Sequence, residues 1–172
     1  VSAALRNIEL PGKEIIKPFS ELDFSQVIAG RNEIDQYNPQ RFEMCQLDAI
    51  VHEDLERKIC VGYKDATPDE FWVRGHMPDM ALMPGVIQCE AAAQLASYFV
   101  CKYGLLGVDR IGLGGMEEVR FRRAVVPGDR LVLMLTELKC RRGAVIMCYF
   151  QGYVNEKLAV EGKIKGVPLP KV

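Results

Sequence analysis

The sequence predicts an α+β fold in which a long antiparallel sheet curls around one buried helix. One observation is a predicted helix, from Pro84 to Tyr103, that is apolar on nearly every side, so other elements must cover it. The other is a series of long β-rich runs, most of them after the helix, joined by short polar turns. A length of 172 residues is ample for one domain with a single core.

The predicted helix has clear signals at both ends. Pro84 suits a first turn, where the backbone N–H has no partner within the helix, and Gly104 suits the position after the last turn. A membrane-spanning helix is the alternative for so apolar a segment. Against it, Gln88, Glu90 and Gln94 interrupt the apolar run, and basic flanking residues are lacking. We therefore expect the helix to be buried inside the protein.

The other segments are predicted to be strands, turns and one short helix. The short helix covers residues 20–28 and is expected to end at Gly30. Residues 126–129 (Val-Pro-Gly-Asp) are typical of a tight turn, because proline fixes φ and glycine tolerates a positive φ. The predicted strands cover residues 44–51, 58–63, 71–73, about 113–122, 130–139, 144–154 and 158–167.

The chain is interpreted as one domain with an N-terminal extension. Residues 1–40 show no pattern of catalytic residues and are expected to pack over the sheet, whereas residues 41–172 form the domain. Residues 1–10 lack the apolar core of a signal peptide. Residues 52–56 are predicted to be a polar turn between two strands, in which His52 is flanked by carboxylates and expected to be solvated.

Composition limits the classes of partner and cofactor. The formal net charge is −1, and 26% of the residues are charged, so no overall field favours nucleic acid or an anionic membrane. The six cysteines form no C-x-x-C pair and no metal-ligand spacing with the two histidines. We therefore expect no metal site, and a reducing, cytoplasmic location.

A carboxylate inside the apolar helix is the first candidate for chemistry. An ionised Glu90 in a core is costly unless it is paired or its pKa is raised, and Gln94 lies one turn further on the same face. His76 lies fourteen residues before Glu90, in a loop. Imidazole and carboxyl groups in such places are typical of general acid–base catalysis. A glutamate satisfied by the histidine or by backbone groups, without any chemistry, is the alternative.

Three motifs in this region resemble the β-hydroxyacyl-acyl-carrier-protein dehydratase family. They are Gly-His-Met-Pro at 75–78, Met-Pro-Gly-Val at 83–86 and Glu-Ala-Ala-Ala-Gln at 90–94, with the family's separation between histidine and glutamate. The resemblance continues at 119–129 and covers about residues 41–166. Related isomerase-type dehydratases carry Asp at the helical position, so Glu90 groups this chain with the other branch.

The resemblance implies a hot-dog fold and a dehydration mechanism. His76 would remove the α proton of a β-hydroxyacyl thioester, and Glu90 would protonate the leaving β hydroxyl. The backbone N–H of Gly85 would polarise the thioester carbonyl, aided by the helix dipole. Gln94 would orient the carboxyl group or the hydroxyl. The product would be a trans-2-enoyl thioester, and the chemistry needs no metal or organic cofactor.

The resemblance also implies partners. The substrate would be attached to the phosphopantetheine of an acyl carrier protein. In the family, the histidine and glutamate of one site come from opposite protomers of a homodimer, often within a trimer of dimers. A local basic excess is a docking candidate for the acidic carrier, with a solvated sheet edge as the alternative. Its predicted docking residues are Arg120, Arg122, Arg123, Arg141 and Arg142.

Some residues depart from the family pattern, and two other functions stay open. Met77 replaces a phenylalanine, residues 79–82 replace a different spacer, and Gly112 and Leu113 replace aromatic residues, one of them a proposed tunnel gate. Gly112 begins a Gly-Leu-Gly-Gly run that only loosely resembles a phosphate loop, because the P-loop lysine and the following helix are missing. A hot-dog thioesterase and a non-catalytic acyl or acyl-carrier binding module are the alternative functions.

Overall fold

A computed structural model describes residues 14–170 as one seven-stranded antiparallel sheet with a long helix on one face. The strand order is β1-β2-β3-β5-β6-β7-β4, which places β1 and β4 at the two edges. This is the α+β, hot-dog architecture that the sequence predicts. The elements are β1 (Ala29–Gly30), α1 (Arg31–Tyr37), β2 (Ala49–Asp54), β3 (Ile59–Asp65), α2 (Gly85–Lys102), β4 (Ile111–Phe121), β5 (Arg130–Arg141), β6 (Val145–Val154) and β7 (Lys157–Pro168), with 3₁₀ turns at Phe19–Glu21 and Phe42–Met44.

The central helix α2 begins and ends where its sequence signals predict. Pro84 is the N-cap, with the extended backbone angles φ −55° and ψ 138°. At the other end Gly104 has φ +60°, a left-handed conformation that favours glycine. Leu105 N–H donates to Val100 O at 3.0 Å and Gly104 N–H to Cys101 O at 3.2 Å, which together form a Schellman motif.

The inner face of the sheet buries α2. The helix packs against strands β3 to β7, and its Leu95, Tyr98 and Phe99 are at most 1% exposed. Strand β5 contributes Leu131, Leu133 and Leu135 to the same core, at alternate positions as a strand requires. Each such side chain stabilises the fold by roughly 1.5–3 kcal/mol relative to an exposed one. Neither helix within residues 14–170 is long and apolar enough to cross a membrane.

The outer face of the sheet is covered by the segment before β1. Its apolar side chains pack on a second cluster formed by outward-facing residues, among them Val132 and Met134 of β5. Phe19 contacts the ring of Tyr153 edge to face, with 5.4 Å between centroids. The domain boundary predicted after residue 40 stays a prediction. The structure shows that β1 pairs with β2 in the same sheet and that α1 packs on α2. Residues 1–10, in which the sequence predicts no signal peptide, lie outside the described residues.

The helix predicted for residues 20–28 is wrong. Only a 3₁₀ turn forms there, and Gly30 is the N-cap of α1 rather than the end of a helix. The cause is local competition for the backbone, because Asp23 Oδ1 accepts hydrogen bonds from both the N–H (2.9 Å) and the hydroxyl (2.6 Å) of Ser25.

Three other predictions about the strands also differ from the structure. Residues 71–73 form turns instead of a strand: Val73 N–H donates to Glu70 O, and the indole of Trp72 is buried as an anchor. Strand β2 begins only at Ala49, because Gln46 N–H donates to a side chain of α2 instead of a neighbouring strand. The first residues of the predicted turn 52–56 continue β2, and His52 is only partly exposed to solvent. Its Nε2 is buried and has no hydrogen-bond partner among residues 14–170, and burial lowers its pKa.

Candidate active site

The loop between residues 72 and 83 presents His76 with one ring nitrogen fixed. His76 N–H donates to Trp72 O at 2.8 Å, and Leu82 N–H donates to His76 O at 2.9 Å, so the backbone is held on both sides. His76 Nδ1 lies 2.8 Å from Leu82 O. A carbonyl oxygen only accepts, so Nδ1 must carry a proton. In the neutral imidazole the lone pair is therefore on Nε2, where a base needs it.

The altered spacer after His76 still closes into a compact turn. Met77 and Met80 exchange two backbone hydrogen bonds of 3.0 Å, and the peptide bond between His76 and Met77 is cis. At the end of the loop, Met83 N–H donates to Val125 O at 2.7 Å, which ties the start of α2 to the segment after β4. The departure from the family pattern thus leaves a defined loop that holds the histidine.

The start of α2 and the His76 loop enclose an open cleft of about 610 Å³. Gly85, the first residue of the helix, lines it, and its N–H has no hydrogen-bond acceptor among the described residues. A Cβ at this position would lie 2.7 Å from Cζ of Phe121, so glycine lets the ring approach the helix closely. A free N–H at the positive end of a helix suits a developing negative charge.

Glu90 lies in the second turn of α2 and is half-buried rather than enclosed in the core. Its Oε1 accepts hydrogen bonds from Gln94 Nε2 at 2.8 Å and from Gln40 Nε2 at 3.2 Å. The carboxyl group lines a second cavity of about 240 Å³ whose other walls are largely apolar. Gly112 and Leu113 of β4 belong to these walls, so the glycine run is part of a strand beside the cavity.

Gln94 connects Glu90 to the backbone that precedes β2. It is 2% exposed, its Oε1 accepts the N–H of Gln46 at 2.8 Å, and its Nε2 donates to Met44 O at 2.7 Å as well as to Glu90. Since the oxygen is used by an N–H, the orientation of the amide is determined and its NH₂ group must face the carboxyl. The contact is the one expected of an orienting residue; its catalytic role stays a prediction.

His76 and Glu90 lie in different cavities within one chain. His76 lines the cleft at the start of α2, whereas Glu90 lines the smaller cavity with largely apolar walls. The helix explains this, because Gly85 and Glu90 are five residues apart and therefore point about 140° apart around its axis. His76 lies on the Gly85 side. Within one chain, the two side chains therefore border separate cavities.

The five predicted docking arginines fall into two groups at opposite ends of α2. Arg122 and Arg123 line the His76 cleft, and Arg120 precedes them on β4. Arg141 and Arg142 lie at the β5–β6 turn, where Arg142 Nη1 donates to Gly104 O at 2.8 Å. An 18-residue helix is about 27 Å long, so one chain does not bring the two groups into a single surface.

Two buried residues, Glu161 and Tyr149, lie beside Arg122 in a chain of hydrogen bonds. Glu161 accepts hydrogen bonds from Arg122 and, at 2.7 Å, from the hydroxyl of Tyr149. Burial raises the pKa of Glu161, but the hydrogen bonds from Tyr149 and Arg122 lower it by a larger amount. The pKa of Glu161 therefore lies below its ordinary value. Within residues 14–170, no three His, Cys, Asp or Glu side chains are grouped to hold a metal ion.

Sequence comparison identifies relatives over most of the chain. The profile of the FabA-like domain matches residues 38–163. The 3-hydroxyacyl-[acyl-carrier-protein] dehydratase FabZ of Moorella thermoacetica is 35% identical over 133 residues, spanning 77% of this chain and 92% of that protein. The protein of the same name from Desulforamulus reducens is 37% identical over 134 residues, with the same two coverages.

Solved structures share the fold at low sequence identity. A chain of the dehydratase heterocomplex ApeI:P from Xenorhabdus doucetiae superposes with a TM-score of 0.69 at 16% identity, over 80% of this chain and 91% of that one. The PaaI protein from the phenylacetic acid degradation operon of E. coli gives 0.54 at 15% identity, over 69% and 80%. These two similarities establish the fold, and the sequence matches establish the family. This chain belongs to the FabA-like family of 3-hydroxyacyl-[acyl-carrier-protein] dehydratases.

Proposed function

We propose that this protein dehydrates a β-hydroxyacyl thioester carried on acyl carrier protein to the trans-2-enoyl thioester, in fatty-acid or related lipid synthesis. The observation that supports it best is the state of His76. The bond from Nδ1 to Leu82 O leaves Nε2 as the proton acceptor, and His76 lines a cleft that is also lined by Gly85 with its free N–H. A base and an oxyanion donor in one cleft are what removal of a proton next to a thioester carbonyl requires.

In the proposed first half of the reaction, His76 Nε2 takes the α proton. The electron pair of the broken C–H bond moves toward the thioester carbonyl, whose oxygen gains negative charge. Gly85 N–H donates to that oxygen, and the N-terminal end of α2 adds the favourable potential of the helix dipole. The proton that His76 gains at Nε2 gives an imidazolium whose other N–H stays bonded to Leu82 O.

In the second half, Glu90 donates a proton to the β hydroxyl, which leaves as water while the new double bond forms. The carboxyl group is held by Gln94, whose own amide is fixed by backbone groups on both sides. An elimination of this kind transfers protons and breaks one C–O bond, so we propose that it proceeds without a metal or an organic cofactor.

We further propose that the working site is shared between two copies of the chain. Strand β4 is an edge strand of 11 residues, and an uncovered edge of that length invites pairing with another strand. It exposes Leu113, Met116 and Phe121, which are 47%, 44% and 52% accessible. Antiparallel pairing of β4 with its counterpart would cover these residues and bring His76 of one chain toward Glu90 of the other.

We propose that the carrier docks at the end of the molecule that holds Arg122 and Arg123. Both line the cleft in which His76 acts, and the side chain of Arg123 has no hydrogen bond or ion pair among the described residues. A free guanidinium group such as that of Arg123 suits the phosphate of a phosphopantetheine arm and an acidic carrier surface. We also propose a reducing, cytoplasmic setting, in which the buried thiols of Cys89 and Cys148 stay free.

The test is to incubate the protein with β-hydroxyacyl carriers of several acyl lengths and to follow the products by mass spectrometry. Loss of one water from the carrier-bound acyl group is the expected result. His76→Ala and Glu90→Gln should each lower kcat by roughly two to four decades. Release of the free acid would instead indicate a thioesterase. Unchanged substrate, with a folded protein, would indicate a binding module.

A further inference from the structure

Gln40, which lies outside helix α2, contacts the carboxyl group of Glu90. It follows α1 in the segment before β2, fifty residues away in sequence, and its Nε2 donates to Glu90 Oε1 at 3.2 Å. Gln94 donates to the same oxygen at 2.8 Å. Gln40 and Glu90 line the 240 Å³ cavity together, whereas Gln94 is buried in the core.

The two amides leave different hydrogen-bonding capacity on the two carboxyl oxygens. A carboxyl oxygen has two lone pairs in the plane of the group, and at Oε1 each of them accepts an N–H. Oε2 has no hydrogen bond within residues 14–170. When Glu90 is protonated, the proton therefore resides on Oε2, and Oε1 is the carbonyl oxygen.

We propose that Gln40 is a positioning residue for the acid step, which together with Gln94 confines the transferable proton of Glu90 to Oε2 and fixes the plane of the carboxyl group. The inference rests on the proposed function, because it assigns a role to Glu90 as a proton donor. Gln40 itself touches Glu90 and acts through it. Proton transfer from one defined oxygen in one defined plane raises the fraction of encounters that are productive.

The backbone of Gln40 is fixed firmly enough for this role. Arg41 Nη1 donates to the carbonyl of Gln40 at 2.6 Å and to that of Asn38 at 2.7 Å, and Cys45 Sγ donates to the Gln40 carbonyl at 3.3 Å. Asn38 Nδ2 in turn donates to the backbone oxygen of Gln94 at 2.9 Å. The segment is thus attached to α2 on the turn that follows Glu90.

Removing the amide should change kcat more than KM. Gln40→Met keeps the length of the side chain without a donor, so one lone pair of Oε1 becomes free and the proton can occupy either oxygen. We expect kcat to fall about three- to tenfold, the usual range for one hydrogen bond, and KM to change less than twofold. Dehydration and the reverse hydration should fall by the same factor, because both pass through the same proton transfer.

The experiment combines these kinetics with infrared spectroscopy of the protonated Glu90 carboxyl, assigned as the band that Glu90→Gln removes at low pH. Loss of one hydrogen bond to the carbonyl oxygen should move this band of Gln40→Met to higher frequency, and Gln40→His, which restores a ring N–H, should reverse part of both effects. Gln36→Met is the matched control, because Gln36 is exposed on α1. Gln40→Ser, too short to reach Glu90, replaces Gln40→Met if that variant does not fold.

The outcomes separate the two proposals. A wild-type protein that dehydrates no β-hydroxyacyl thioester overturns the proposed function. An active wild-type protein whose Gln40 variants match the Gln36→Met control in kcat, or leave the Glu90 band unmoved, overturns the positioning role while the proposed function stands. A shift in unfolding temperature and KM, with kcat and the band unchanged, assigns Gln40 a structural role only and likewise overturns the inference.

Discussion

Two inactive variants should restore activity when they share one dimer. His76→Ala retains an intact Glu90, and Glu90→Gln retains an intact His76. In a twofold dimer with shared sites, a mixed dimer therefore has one site with both mutations and one site with neither. The basis is the separation of the two side chains into different cavities of one chain.

The expected yield follows from random assortment of the chains. Co-expression in equal amounts makes about half of the dimers mixed, and each mixed dimer has one of its two sites intact. The activity should therefore be about a quarter of the wild-type value per chain. The separate variants should retain one hundredth or less, as for loss of a positioned acid or base, so the effect exceeds the background by roughly 25-fold or more.

The assay is dehydration of a carrier-bound β-hydroxyacyl substrate by doubly tagged dimers purified on both tags, in which half of the wild-type activity is expected. The control co-expresses wild type with the double variant His76→Ala/Glu90→Gln. Every mixed dimer is then inactive at both sites, so only the wild-type homodimers are active. In the unseparated mixture about one quarter of the wild-type activity per chain should remain, whereas chains that do not form mixed dimers would retain one half. Mixed dimers of the two single variants with no more activity than either alone would refute the shared site.

Three further changes test other parts of the structure. Arg123→Glu should raise KM about three- to tenfold for carrier-bound substrate and leave a pantetheine thioester unaffected, because charges at the rim act on encounter; equal losses on both substrates would exclude a docking role. Glu161→Gln should cost about 1–2 kcal/mol of unfolding free energy at neutral pH in urea titrations, because the pKa of Glu161 is lower in the folded protein than in the unfolded chain. This difference should shrink as the pH falls through the lowered pKa of folded Glu161. Gly104→Ala should cost roughly 1–2 kcal/mol in the same titrations, because alanine is strained at φ +60°; an unchanged midpoint would contradict the capping role.

The parts of the fold that could be predicted from sequence are those with local causes. The limits of α2 follow from Pro84 and Gly104, which act on the backbone next to them. The long strands follow from β-rich composition and turn residues. The two failures have different causes. Asp23 accepts two hydrogen bonds from Ser25, a local contact that competes with a helix, whereas Gln94, 48 residues further along the chain, takes the backbone N–H of Gln46 from a strand.

The motifs that contain His76 and Glu90 could be recognised in the sequence, whereas the residues that hold these side chains in place could not. His76 and Glu90 stand in recognisable patterns, but the contact of Gln40 with Glu90 joins positions fifty residues apart, and no spacing rule links them. The helical spacing of Gly85 and Glu90 is a further signal that the sequence contains. At about 100° per residue the two residues point to different sides of α2, in agreement with the different cavities that they line.

The same helix therefore serves stability and chemistry in a way that couples the two. In the proposed dimer, the first turn of each α2 supplies Gly85 to one site, and the second turn supplies Glu90 to the other. Gln94 is buried in the core and bonds both the carboxyl group and the backbone ahead of β2. A shift of α2 against the sheet would move an N–H in one site and an acid in the other together. Substitutions under the helix should thus lower kcat at both sites of a dimer even where the mutated side chain lies far from either substrate.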